Sequence, residues 1–223
     1  MNRVFGGTRV TVLAAVSLLA CFALVAVQLT GGGIAAAIAK CTASTAFIGV
    51  ALWSGALDST YGRIILAALV FSWFGDMFLL GTDATFFLAG LASFLLGHVV
   101  YVIAFSHRGL KDRWMFTALV PVVAASLLAM VWLGPHLPDD MIIPVRAYTL
   151  VISLMVVTAW GARGAGGPWL IPAGATLFYL SDLSVAAMQF ADPGWPTYVL
   201  GLPFYYTGQL LLAASTRFAR QKG

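Results

Sequence analysis

Four charged side chains stand in stretches that are otherwise apolar: Lys40, Asp76, Arg146 and Asp182. His98, Tyr101, Tyr179, Tyr205, Tyr206 and Gln209 lie in similar surroundings. A charge inside a bilayer costs at least ~2.5–3.5 kcal/mol on insertion scales, so such groups face the interior of a helix bundle and usually have a function. Two carboxyls in one pocket, one kept protonated and the other ionised, are equipped for general acid/base chemistry. Asp76, Asp182 and His98 are the candidate members of such a pocket. Lys40 and Arg146 would bind an anionic group or pair with an aspartate, and Tyr101, Tyr179, Tyr205, Tyr206 and Gln209 are candidate binding residues. A purely structural alternative also stands: two buried ion pairs, Lys40–Asp76 and Arg146–Asp182, that orient helices at about 1 kcal/mol per contact. A catalytic zinc wants three protein ligands, commonly histidines. Only one histidine, His98, is in an apolar stretch, so no metal and no cofactor is expected.

The elements that must hold these residues are membrane-spanning helices. Of 223 residues, 61% are hydrophobic and 9% charged, with mean hydropathy +0.95. Soluble domains carry about 25% charged residues. All 8 acidic residues are Asp, so the Glu–Lys pairs of soluble helix surfaces are absent. The apolar runs are each close to the ~20 residues that cross a hydrocarbon core. Eight spans are expected, over 10–29, 34–54, 62–81, 85–106, 114–133, 142–160, 168–189 and 197–216. The connections are short, which predicts one all-α polytopic membrane bundle with no soluble domain. Arg3 and Arg9 precede the first run, but that run is longer than a signal-peptide core and reads as the first span. Cys21 and Cys41 fall inside apolar runs and read as free thiols.

The net charge of +4 follows from topology and gives no reason to expect a nucleic-acid partner. With eight spans, every Lys and Arg except Lys40 and Arg146 falls on one side: Arg3, Arg9, Arg63, Arg108, Lys111, Arg113, Arg163, Arg217, Arg220 and Lys222. Positive residues mark the cytoplasmic side. Both termini are therefore expected in the cytoplasm, with the chain in a bacterial inner membrane. Lys40 and Arg146 come early in spans that enter from the other side, and Asp76 and Asp182 come late in spans that run outward. All four charges are then expected in the outer half of the membrane.

The two halves, 10–106 and 114–217, read as copies. The same interval separates Lys40 from Asp76 and Arg146 from Asp182. Phe74-Gly75-Asp76 aligns with Leu180-Ser181-Asp182, and Gly90 followed by Gly97-His98 aligns with Gly201 followed by Gly208-Gln209. Gly90, Ser93, Gly97, Gly201 and Gly208 fit close helix packing. Four spans per half keep both halves in one orientation, which implies a parallel repeat.

The intramembrane Lys40, Phe74-Gly75-Asp76, Phe94-Leu95-Leu96-Gly97-His98 with Tyr101, Leu180-Ser181-Asp182, and Tyr205-Tyr206 with Gly208-Gln209 together resemble the YhhN-type lysoplasmalogenase family, over about 35–215. In place of a proline that the family often carries shortly after the lysine, this chain has Cys41-Thr42-Ala43. The resemblance implies hydrolysis of the vinyl-ether bond of a lysophospholipid substrate, giving a fatty aldehyde and a glycerophospho-alcohol. Such a bond hydrolyses when an acid protonates the alkene carbon and water captures the oxocarbenium ion, a task for two carboxyls in different protonation states; the resemblance thus implies Asp76 and Asp182 as the catalytic pair, with His98 to relay a proton or position water. On the physics of the residues alone, a transporter or lipid-translocating protein with the same buried pocket remains open, as does a lipid sensor. The expected partners are the lysophospholipid and membrane lipids, and the oligomeric state is left open.

Overall fold

A computed structural model describes residues 7–219 of the chain. Arg3, Arg220 and Lys222 lie outside the described residues. The chain is all-helical, with eight long helices: α1 Thr8–Leu29, α2 Ile34–Trp53, α3 Thr60–Phe78, α4 Ala84–His107, α5 Asp112–Leu133, α6 Ile142–Gly164, α7 Leu170–Ala186 and α8 Tyr198–Ser215. Seven of them, α1 to α7, are long and apolar enough to cross a membrane. The eighth, 18 residues long, carries Tyr205, Tyr206 and Gln209 and is more polar. The molecule is an integral membrane protein in which backbone polar groups are satisfied within helices, as a bilayer requires.

The element boundaries follow local chemistry. Gly31, Gly32 and Gly33 all take positive φ (109°, 73° and 76°), which lets α1 reverse into α2 in a few residues. Ser59 and Asp83 cap α3 and α4, their side chains accepting from the backbone N–H of Gly62 and Phe86. The expected span 168–189 is α7 continued by a π-helical turn, Ala187–Ala191. The expected 142–160 runs on to Gly164, and the expected 62–81 is the shorter Thr60–Phe78.

Antiparallel neighbours α1–α2, α3–α4, α5–α6 and α7–α8 pack in pairs, with α4 against α6 and α8 against α2. Small residues set the closest approaches. A Cβ on Gly208 would sit 2.8 Å from the Gly174 carbonyl oxygen, and one on Gly174 would sit 2.8 Å from that of Gly208. A Cβ on Gly97 would meet the Ala68 carbonyl at 3.3 Å in the α3–α4 pair. Ser93 Oγ donates to the Phe71 carbonyl at 2.6 Å, tying the same two helices.

Backbone cannot yield as a flexible side chain does. Gly208→Ala is therefore expected to destabilise by about 1–3 kcal/mol, the usual cost of overpacking. Gly134→Ala, where a Cβ meets nothing within 4 Å, serves as the comparison. Thermal unfolding of the two variants in detergent checks this.

Candidate functional site

A cavity of about 530 Å³ lies between the helices. Its lining includes residues from the connections 79–84, 134–141 and 187–197, so it sits toward one end of the bundle. Arg9 over Trp53 and Arg108 over Tyr61 mark the opposite end. Lys40, Asp76, Tyr179, Asp182 and Tyr205, all picked out from the sequence, line the cavity.

Asp76 is 3% exposed, near the end of α3. Its Oδ2 accepts from Ser44 Oγ at 2.6 Å and from the Tyr205 hydroxyl at 2.7 Å. Ser44 is one turn after Lys40 on α2, so both side chains point the same way. The Ser44 proton is committed to Asp76, so the Tyr206 hydroxyl, 3.3 Å away, donates to Ser44 Oγ. Lys40 is 8% exposed and acts on Asp76 through space, yet among the described residues no carboxylate lies within ion-pair distance of it.

Asp182, on α7, has a 16% exposed side chain. Its Oδ2 accepts from the Tyr148 hydroxyl at 2.5 Å and from His98 Nε2 at 3.1 Å. His98 Nε2 is also 2.8 Å from the Tyr148 oxygen. Tyr148 gives its proton to the carboxylate, so Nε2 carries the histidine's proton and is shared between the two oxygens. Nδ1 is buried without a partner, and the ring lies edge-on to Phe178 at 4.6 Å. Nδ1 has no acceptor among the described residues, so the network places a proton on Nε2. In both aspartates Oδ2 holds the hydrogen bonds, and Oδ1 is left free without being sealed off. Two carboxyls thus offer one oxygen each to the same cavity.

The other expected residues form the layer behind the wall. His98 is fully buried behind Asp182. Tyr101 donates to Gln209 Oε1 at 2.7 Å, and both are fully buried. Tyr206 backs Ser44. Tyr179 is tied to Ser126 at 2.8 Å. Neither expected ion pair forms: the one carboxylate pairing among the described residues is His98–Asp182.

Arg146 is the clear misplacement, being exposed and outside the cavity. The cavity face of α6 is Val145, Tyr148 and Ile152, at helical spacing. A residue two positions from Tyr148 faces nearly the opposite way, and Leu150, on the Arg146 side, is 71% exposed. Tyr148, Ser44 and Gln28 are site residues that the sequence reading passed over. The signal for the first two was present: Ser44 is one turn from Lys40, and Tyr148 is a lone hydroxyl on an apolar helix face. Among the described residues no group of three His, Cys, Asp or Glu side chains gathers to hold a metal ion.

Tyr148→Phe removes the shortest of these bonds while keeping the ring. If Asp182 acts in chemistry, kcat is expected to fall about 10- to 100-fold, because hydrogen bonds to charged groups are worth about 1.5–3 kcal/mol. Steady-state kinetics of the purified variant tests it.

The chain is similar to proteins of one family. The description of the YhhN family matches residues 12–216. The chain is 33% identical over 180 residues to the human protein named lysoplasmalogenase TMEM86B, covering 81% of this chain and 74% of that one. It is 32% identical over 163 residues to bovine lysoplasmalogenase TMEM86A, covering 70% and 66%. It is 31% identical over 172 residues to the lysoplasmalogenase of Mycobacterium tuberculosis, covering 71% and 62%. No solved structure matches the chain.

Proposed function

The chain belongs to the YhhN family, and we propose that it is a lysoplasmalogenase, hydrolysing the vinyl-ether bond of a lysophospholipid to a fatty aldehyde and a glycerophospho-alcohol. The observation that carries this reading is the pair Asp76 and Asp182, lining one cavity beside the Lys40 ammonium, which has no ion-pair partner among the described residues. The names of the relatives supply the substrate class.

The roles follow from charge. Asp76 has two hydroxyl donors and the Lys40 cation nearby, and takes the part of the carboxylate. Asp182, held by Tyr148 and His98, takes the part of the acid and delivers its proton from Oδ1. Asp182 protonates the alkene carbon one bond beyond the ether carbon, leaving an oxocarbenium ion stabilised by the Asp76 carboxylate. Water adds to the ether carbon and gives a proton to Asp76. The resulting hemiacetal returns its hydroxyl proton to Asp182, while Asp76 protonates the departing glycerol oxygen. Both carboxyls end as they began, and the sum is vinyl ether plus water to aldehyde plus alcohol. His98 and Tyr148 hold Asp182; Ser44, Tyr205 and Tyr206 hold Asp76. Lys40 takes the substrate phosphate, and the apolar wall around Leu91, Phe94 and Ile152 takes the chain.

The positive-inside pattern supports cytoplasmic termini in a bacterial inner membrane, with the cavity toward the outer leaflet. We also propose that the halves are diverged copies. Gly97 against Ala68 and Gly208 against Gly174 are equivalent approaches in the two halves, as are Gly90 against Gly75 and Gly201 against Ser181. Divergence has turned Lys40 inward and its counterpart Arg146 outward.

Purified protein given an alkenyl lysophospholipid should release fatty aldehyde, and none from the saturated ether of the same length. Folded protein that releases no aldehyde from the alkenyl lipid would remove the enzymatic reading.

A further inference from the structure

The end of the bundle opposite the cavity gathers a second set of charges. Arg108, which closes α4, and Arg163, in the last turn of α6, converge on one backbone residue. An Nη atom of Arg163 donates to the Gly167 carbonyl at 3.1 Å, and a Cβ on Gly167 would sit 3.2 Å from Arg108 Nε. Lys111 joins them, because a Cβ on Gly164 would meet the Lys111 Cβ at 2.8 Å. Like charges gathered in this way repel one another. Asp112 is next in the chain and exposed, yet among the described residues no carboxylate lies within ion-pair distance of these three cations.

Aromatic rings and backbone carbonyls hold the two guanidinium groups in place. Arg163 Cζ lies 4.6 Å from the centre of the Trp169 ring and 5.7 Å from that of Trp114, and Arg108 Cζ lies 5.1 Å from that of Tyr61. Arg108 also donates to the Phe218 carbonyl at 3.2 Å. Both Nε atoms are buried without an acceptor, so a ligand would meet the outer edges, where the terminal N–H groups are. Each arginine has five N–H donors to offer and gives one to a carbonyl. The N-termini of α5 and α7 lie alongside, with Trp114 and Trp169 5.8 Å apart, and neither has a side-chain cap. Uncapped helix N-termini favour anions.

We propose that this cluster binds the phosphate of an anionic phospholipid, from the leaflet at that end, between Arg108 and Arg163. Trp169 is 53% exposed and stands at a helix end, the level at which tryptophans meet lipid head groups. Phosphates are the abundant anions at that depth, and basic pockets between helices recognise them. A zwitterionic head would bring its own ammonium to an all-cationic cluster with no carboxylate to receive it. The site is separate from the cavity and does not rest on the hydrolase reading.

The test uses the full chain in a neutral detergent and native mass spectrometry with phosphatidylglycerol or phosphatidylcholine of the same chains. Wild type is expected to hold phosphatidylglycerol about tenfold more tightly. Arg108→Gln and Arg163→Gln should each remove most of that preference. Arg163→Lys should do so too, because an ammonium keeps the charge but lacks the planar fork that stacks on Trp169; it decides the matter if a Gln variant does not fold. Arg63→Gln removes one exposed charge at the same end, outside the cluster, and should keep the preference, as should Lys40→Met in the cavity. Equal binding of the two lipids by wild type, a preference that survives in the folded Arg108 and Arg163 variants, or one that falls as far in Arg63→Gln or Lys40→Met overturns the site. Thermal unfolding with inorganic phosphate alone is the last arm. No shift is expected; a shift equal to that given by phosphatidylglycerol means a soluble anion and overturns the lipid assignment.

Discussion

Asp182→Asn is expected to lower kcat by about 10³-fold or more, at the upper part of the range for losing a general acid, with the protein still folded. Asn keeps the shape and can still accept from Tyr148 and His98, but has no transferable proton to place on carbon. Asp76→Asn should fall as far for a different reason: it removes the negative charge facing the oxocarbenium ion and the base that takes the water proton. The two defects should not multiply in the double variant, because groups that act as one unit are strongly non-additive. Kinetics of aldehyde release, with elution profiles to confirm folding, measure all three. Near wild-type activity in either single variant would discard the two-carboxylate mechanism.

Lys40→Met is expected to separate activity from stability. The ammonium is buried, faces the cavity and has no ion-pair partner among the described residues. Desolvating a charge without a partner is unfavourable, so a Met of similar length should leave thermal stability unchanged or raise it. Activity should move the other way. Without the cation the phosphate loses a charge-assisted bond worth about 1.5–3 kcal/mol, or roughly 10- to 100-fold in kcat/KM, mostly in KM. If Lys40 served only to orient α2 against α3, both quantities would fall together.

The contrast between Lys40 and Arg146 shows what the sequence made legible. Four charges in apolar runs were visible at once, and three of them line the cavity. The eight helices were equally visible, because hydropathy and length define them. What the spacing could not supply was rotation. Arg146 matches Lys40 in register, but α6 is set with Tyr148 inward, which sends a residue two positions away outward. Tyr148 and Ser44 escaped notice because a single neutral hydroxyl in an apolar span carries little cost and so little signal. Gln28 escaped because it sits at a helix end, where polar residues are ordinary. The expected ion pairs failed for a related reason. Hydroxyl donors from Ser44, Tyr205 and Tyr148 satisfy the carboxyl oxygens in place of a cation. That leaves Lys40 without an ion-pair partner among the described residues, an arrangement suited to binding an anion and costly for a purely structural element. The helices also run unbroken past Lys40, Asp76 and Asp182, unlike the interrupted helices of many transporter substrate sites.

In the proposed reaction a carboxyl of this site protonates carbon. Hydrolysis of an alkenyl lysophospholipid in deuterated water tests it most directly, with the aldehyde reduced as it forms and analysed by mass spectrometry. A single solvent deuterium is expected on the carbon next to the former aldehyde, with slower turnover than in ordinary water because proton transfer to carbon limits the rate. Aldehyde formed at the wild-type rate without solvent deuterium on that carbon would contradict it.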